Sequence, residues 1–189
     1  MKKIFLAIIV LMVSATAFAQ KGRIYDKFPE DFEMPDTSAK AKYKKADVQL
    51  KTGSWTFDQA ILGAVENRDR FNGKQSVRMH QNKENSGYLQ MNFDLPKGAS
   101  RVTFMYGVYY KDSPSVIKLE YSTDKGQTWK QVGNDITDAN AKQKTADFVM
   151  DIKEPVRFRI TKLSIEAAKK ESGVRDGRLS VDDFTVFQN

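Results

Sequence analysis

Residues 117–129 read IKLEYSTDKGQTW. Ile117, Leu119 and Tyr121 fall on one face of an extended chain, and Lys118 and Glu120 on the other. That period of two is the mark of a half-buried strand. The strand runs into STDKGQTW, the pattern Ser-x-Asp-x-Gly-x-Thr-Trp known as an Asp-box. The Asp124 carboxylate can accept hydrogen bonds from turn amides, and Gly126 can take a positive φ at no steric cost. Ser122 and Thr128 can close the loop, and Trp129 can lay its ring on the hairpin base. Turn stability therefore explains every position of the motif, and the stretch predicts an antiparallel hairpin.

The same alternation recurs along the chain. YLQMNFDL sets Leu89, Met91, Phe93 and Leu95 on one face. DFVMDI does so with Phe148, Met150 and Ile152, and VRFRIT with Val156, Phe158 and Ile160. RVTFMYGVYY is apolar on both faces, as an interior strand or a groove lining would be. FNGK, NSG, LPKG, KDSP, DKGQ, KEP and RDGR punctuate these runs as turns. Short strands with regular turns predict an all-β fold, an antiparallel β-sandwich of the jelly-roll kind. DQAILGAV (58–65) reads as one helical turn or a strand, and IEAAKKES (165–172) has helix-forming residues. In the last strand, Val181 and Phe184 are three apart. This breaks strict alternation: either the strand is apolar on both faces or, as the spacing favours, a β-bulge lies around Asp182 and Asp183.

Residues 1–19 have the form of a secretory signal peptide: a basic MKK, an apolar run, and Ala17-Phe18-Ala19 before the cut. Residues 20–45 form a polar leader with a possible first strand at DFEM (31–34). The sandwich domain spans 46–189, with folding expected to begin near residue 28. Removing residues 1–19 lowers Lys+Arg from 31 to 29 against 24 Asp+Glu, a net charge of +5. Outside AKAKYKK (39–45) the positive residues are scattered among acids, which argues against a nucleic-acid surface. The chain has no cysteine, which excludes thiol catalysis, zinc-thiolate sites and iron–sulfur clusters. With His80 as the single histidine, no histidine-based metal cluster can form.

The Asp-box repeats once per blade in sialidase propellers. This chain has one copy and less than half the length of such a propeller, so the motif points to no enzyme. A sugar site needs aromatic faces for stacking and polar groups for hydroxyls. Trp55, Tyr109 and Tyr110 supply the first, and Arg68, Arg70 and Arg78 the second. Adjacent Tyr109 and Tyr110 point to opposite faces, so one of them is expected to be exposed.

FPEDFE (28–33), VQLKTGSWTFDQAILG (48–63), NGKQSVRM (72–79), LQMNFDL (89–95), the Asp-box, VRFRI (156–160) and LSVDDFTV (179–186) occur in this order. Together they resemble the galactose-binding-like jelly-roll module of secreted Bacteroidetes proteins. The resemblance implies a sandwich of eight or more strands and a non-catalytic role. It also implies a structural Ca²⁺ where the first and last strands meet, with Glu33, Asp182 and Asp183 as its ligands. The expected function is an exported, non-catalytic binding module for carbohydrate, periplasmic or secreted. The alternatives are a structural or protein-interaction module of the cell envelope, or an accessory protein to a secreted nuclease or glycoside hydrolase.

Overall fold

The computed structural model describes residues 22–168 and 177–189; residues 1–19, read above as a signal peptide, lie outside the described residues. Eleven strands among them form two antiparallel sheets. The six-stranded sheet has the order β1 (Ala46–Gln49), β2 (Ser54–Asp58), β5 (Gly87–Met91), β10 (Arg157–Lys162), β7 (Ile117–Ser122), β8 (Lys130–Ile136). The five-stranded sheet has the order β3 (Ala60–Gly63), β4 (Ser76–Met79), β11 (Leu179–Phe187), β6 (Ala99–Val108), β9 (Lys144–Ile152). The fold is an antiparallel β-sandwich.

Alternation decides which face of each strand is buried. Trp55, Phe57, Leu89, Met91, Leu119, Phe158 and Ile160 line the inner face of the six-stranded sheet. Val77, Met79, Phe104, Val181 and Phe184 line that of the other sheet. The two faces meet around Phe184, whose ring stacks on Phe104 at 6.1 Å and meets Trp55 edge-on at 5.4 Å. The ambiguous segment 58–65 forms the buried edge strand β3, because its apolar run is needed by the core. Of the helix-forming segment, Ile165–Ala168 is a short helix, α1.

The leader differs from the sequence expectation. DFEM forms no strand: it lies between Pro29 and Pro35, which lack an N–H, and Phe32 has a left-handed φ of 54°. The leader instead pairs through isolated bridges, Ile24 with Phe187 and Glu30 with Phe184. Tyr25 and Phe32 are nonetheless part of the core. A short 3-10 helix, Thr37–Lys40, ends in a buried lysine whose ammonium donates to the carbonyls of Lys42, Lys44 and Ala60. That cation ties the leader to β3.

The irregularity in the last strand is present. The pairing of β11 with β6 shifts register between Asp182 and Thr185, and Asp183 has a φ of 49°. The shift turns Phe184 into the core after Val181, as their spacing required.

Candidate functional site

Two outward surfaces gather polar and aromatic side chains. The first lies across the six-stranded sheet. Register brings Asp47, Thr56, Gln90, Arg159, Glu120 and Gln131 into one row, one residue per strand. Each is the outward member of its strand's alternation. Arg159 is the centre of the row. Its Nε and Nη2 donate to the two Glu120 carboxylate oxygens at 2.8 and 3.1 Å. The Thr161 hydroxyl also donates to Glu120, at 2.6 Å. Burial works against the Glu120 charge, but these donors outweigh it and hold its carboxyl below the usual range. The guanidinium lies 4.4 Å from the Trp129 ring and 5.7 Å from the Tyr88 ring. Both rings are half-buried. Aromatic faces beside a fixed charged pair, with amides and hydroxyls along the row, are the groups that bind sugar rings and their hydroxyls.

The Asp-box hairpin presents Trp129 to this surface. The Asp124 carboxylate accepts from the Thr128 amide at 2.9 Å, and the Ser122 hydroxyl donates to it at 2.6 Å. These bonds hold its pKa well below the usual carboxylate range. Gly126 has a φ of 87°, and its carbonyl accepts from the Trp129 indole N–H at 3.1 Å. The motif builds the turn, and by fixing the indole it also sets one edge of the outer face.

The second surface lies on the outer side of the five-stranded sheet, at the end where β4 and β6 stop and β11 begins. It holds five of the six ligand candidates read from the sequence. Arg78 and Arg178 place their guanidiniums 4.8 and 4.1 Å from the Tyr109 ring. The Arg68 guanidinium lies 5.4 Å from the Tyr110 ring. The Arg70 Nη2 donates to the Tyr110 carbonyl at 2.6 Å. Asp69 pairs with Arg78 at 3.0 Å, and Asp112 pairs with Arg178 at 2.7 Å. Tyr109 is 6% exposed and Tyr110 is 45% exposed, so the adjacent tyrosines do divide between inside and outside.

Trp55 is not at either surface. It is fully buried among Phe32, Phe93 and Phe184, and its indole N–H donates to the Thr52 hydroxyl at 2.9 Å. Its place on the inner face of β2 forbids the ligand contact expected of it. Tyr109 is likewise covered, by guanidiniums. Tyr88, Gln90, Glu120 and Arg159, and the open face of Trp129, were not picked out as ligand groups. The sequence showed that they are the polar members of their strands, but not that five pairings put them in one row.

Glu33, Asp182 and Asp183 converge on the turn at residues 72–75. Asp182 accepts from the Asn72 amide at 2.8 Å, and Asp183 from the Asn72 side chain at 2.7 Å. Glu33 accepts from the Lys74 amide at 2.9 Å. Burial pushes the Asp182 carboxyl up to about 8, and the nearby Asp183 and Glu33 charges add to the rise. Such a carboxylate is one a cation would relieve. Nitrogen donors already occupy it, however, and among the described residues no three acidic or imidazole side chains are grouped to hold a metal ion.

Lys162 occupies an inward position at the end of β10, near Asp112, and is almost wholly buried. Burial pushes its ammonium down to about 7. The unfolded chain keeps that proton to about 10.4. Between those values the unfolded state binds more protons, so stability should rise with pH from about 7 to 10. The contribution is at most about 1.4 kcal/mol per pH unit. Denaturant melts of Lys162→Met across this range should lack that rise.

No protein-family model and no curated protein matches this sequence. Solved structures do match its fold. One is the carbohydrate-binding module TmCBM61 in complex with β-1,4-galactotriose, with a TM-score of 0.52 and 17% identity over 85% of this chain and 95% of that one. The tandem CBM22-1–CBM22-2 domain of Paenibacillus barcinonensis Xyn10C has a TM-score of 0.56 and 13% identity, covering 91% of this chain and 46% of that one. The K2 cleaved adhesin domain of Lys-gingipain has a TM-score of 0.52 and 11% identity over 71% of this chain and 90% of that one. What this chain has in common with them is the sandwich.

Proposed function

We propose that the protein is an exported, non-catalytic carbohydrate-binding module whose ligand lies across the outer face of the six-stranded sheet. The observation that carries this reading is the Arg159–Glu120 pair set beside the Trp129 and Tyr88 rings, in a polar row crossing all six strands. The likeness of fold to a module solved with a galactotriose supports it as an analogy. Export rests on the signal-peptide pattern of residues 1–19. Among the described residues no helix is long and apolar enough to cross a membrane.

The test is calorimetric titration with neutral β-1,4-galactan, xylan and glucomannan. The protein without residues 1–19 should bind at least one of them. Arg159→Ala and Tyr88→Ala should each weaken that binding about tenfold or more, equivalent to roughly 1.4 kcal/mol. Binding to none of the three, or undiminished binding by both variants, rejects the sheet face as a sugar site. Calcium at the Asp182 corner is a separate part of the proposal. Excess chelator should lower the melting temperature and added Ca²⁺ restore it. An unchanged melt, with no metal found by elemental analysis, removes the ion.

A further inference from the structure

The charge balance at the second surface is uneven. Asp69 neutralises Arg78 and Asp112 neutralises Arg178, both as close ion pairs. Arg68 and Lys111 have no carboxylate within ion-pair distance among the described residues, and both are exposed. They lie 5.4 and 5.5 Å from the ring of Tyr110. Two uncompensated cations thus share one exposed phenol.

The arrangement is fixed before any ligand arrives. Tyr110 has a φ of 50°, in the left-handed region that a non-glycine residue enters only when its surroundings hold it there. They do hold it: the Tyr110 amide donates to the Arg68 carbonyl at 2.7 Å, and the Tyr110 carbonyl accepts from Arg70. The Arg68 turn is anchored in turn by its neighbour. Asp69 is buried, accepts from the Val65 amide at 2.8 Å and pairs with Arg78. A surface tyrosine flanked by idle cations would normally be mobile. Here the backbone on both sides is bonded down, which lowers the entropy lost on binding.

We propose that Arg68, Tyr110 and Lys111 form a second site, selective for an anionic saccharide such as a uronate residue of a polysaccharide. The guanidinium can take a carboxylate with two parallel N–H bonds, the ammonium adds a second positive charge, and the phenol offers an edge and a hydroxyl to the sugar ring. The site is on the opposite sheet from the Arg159 row and works independently of it.

The experiment titrates the protein without residues 1–19 with polygalacturonate, alginate and hyaluronan. Each is paired with the same polymer after its carboxylates have been reduced to alcohols. At least one uronate polymer should bind tenfold or more tightly than its reduced form at 150 mM salt. Arg68→Gln and Lys111→Gln should each remove most of that preference and leave the melting temperature and neutral-polysaccharide binding unchanged. Lys97→Gln, which removes one exposed charge at the other end of β6, should leave the preference intact. The proposal fails if charged and reduced polymers bind alike or none binds. It fails also if Lys97→Gln costs as much as Arg68→Gln, or if oligo(dT) binds as well as the uronates, since attraction would then be non-specific. Loss of neutral binding in Arg159→Ala, with the uronate preference kept, would separate the two sites.

Discussion

Trp55→Ala should cost about 3–5 kcal/mol of folding stability, the range for deleting a fully buried large aromatic side chain. The indole touches three phenyl rings at centroid distances of 5.4 to 6.3 Å, so its removal leaves a cavity that neither sheet can close. It also opens a buried polar relay. The indole N–H donates to the Thr52 hydroxyl, and that hydroxyl donates to Glu30 at 2.6 Å. Glu30 further accepts from the amides of Thr52 and Phe32, at 2.8 and 3.2 Å. Burial raises the Glu30 pKa despite these donors, so the relay is already in a demanding environment. Urea denaturation should give the expected loss, while polysaccharide affinity measured on the folded fraction stays at the parent value. A variant with parent stability but no binding would return Trp55 to the list of ligand groups.

Arg78→Ala should be nearly as damaging, by about 3–5 kcal/mol, because it leaves a buried carboxylate without its cation. Asp69 is 4% exposed, and burial already raises its pKa against the pull of the Val65 amide and Arg78. Arg78 also donates to the Tyr43 hydroxyl at 3.2 Å, and Tyr43 stacks on His80 at 4.2 Å. Its loss therefore removes one of the two contacts that hold Tyr43 to the β4 end. The double variant Arg78→Ala/Asp69→Asn should recover much of the stability, since the amide keeps an acceptor for Val65 and carries no charge. Equal losses in single and double variants would show that packing, not the stranded charge, sets the cost.

These two residues illustrate what the sequence could and could not convey. Alternation placed Leu89, Leu119 and Phe158 in the core, because a period of two is local and needs no knowledge of partners. The Val181–Phe184 spacing announced a bulge for the same reason. The hairpin at Asp124 was legible since its bonds all close within a few residues. Trp55 was read as a ligand group on residue type alone, and type does not say which way a side chain faces; Arg78 does face outward, but type did not show that it is held by the buried Asp69. The Arg159 row was harder still. Its members come from six segments whose neighbours are fixed by the topology β1-β2-β5-β10-β7-β8, and no local pattern contains that order. The Arg68, Arg70, Tyr109 and Tyr110 group was found by type and was in fact assembled, through the bond from the Tyr110 amide to the Arg68 carbonyl.

The bridge between Ile24 and Phe187 has a geometric consequence. The Gln188 amide donates to the Arg23 carbonyl at 2.8 Å, so the leader entering the sandwich lies beside the end of β11, the strand that leaves it. A chain can enter and exit such a unit at one point, like a loop of thread drawn through a single eyelet. Any polypeptide spliced onto residue 23, residue 188 or both departs from this one point, at the end of the central strand β11. Extensions at the two ends therefore share one point of departure from the sandwich.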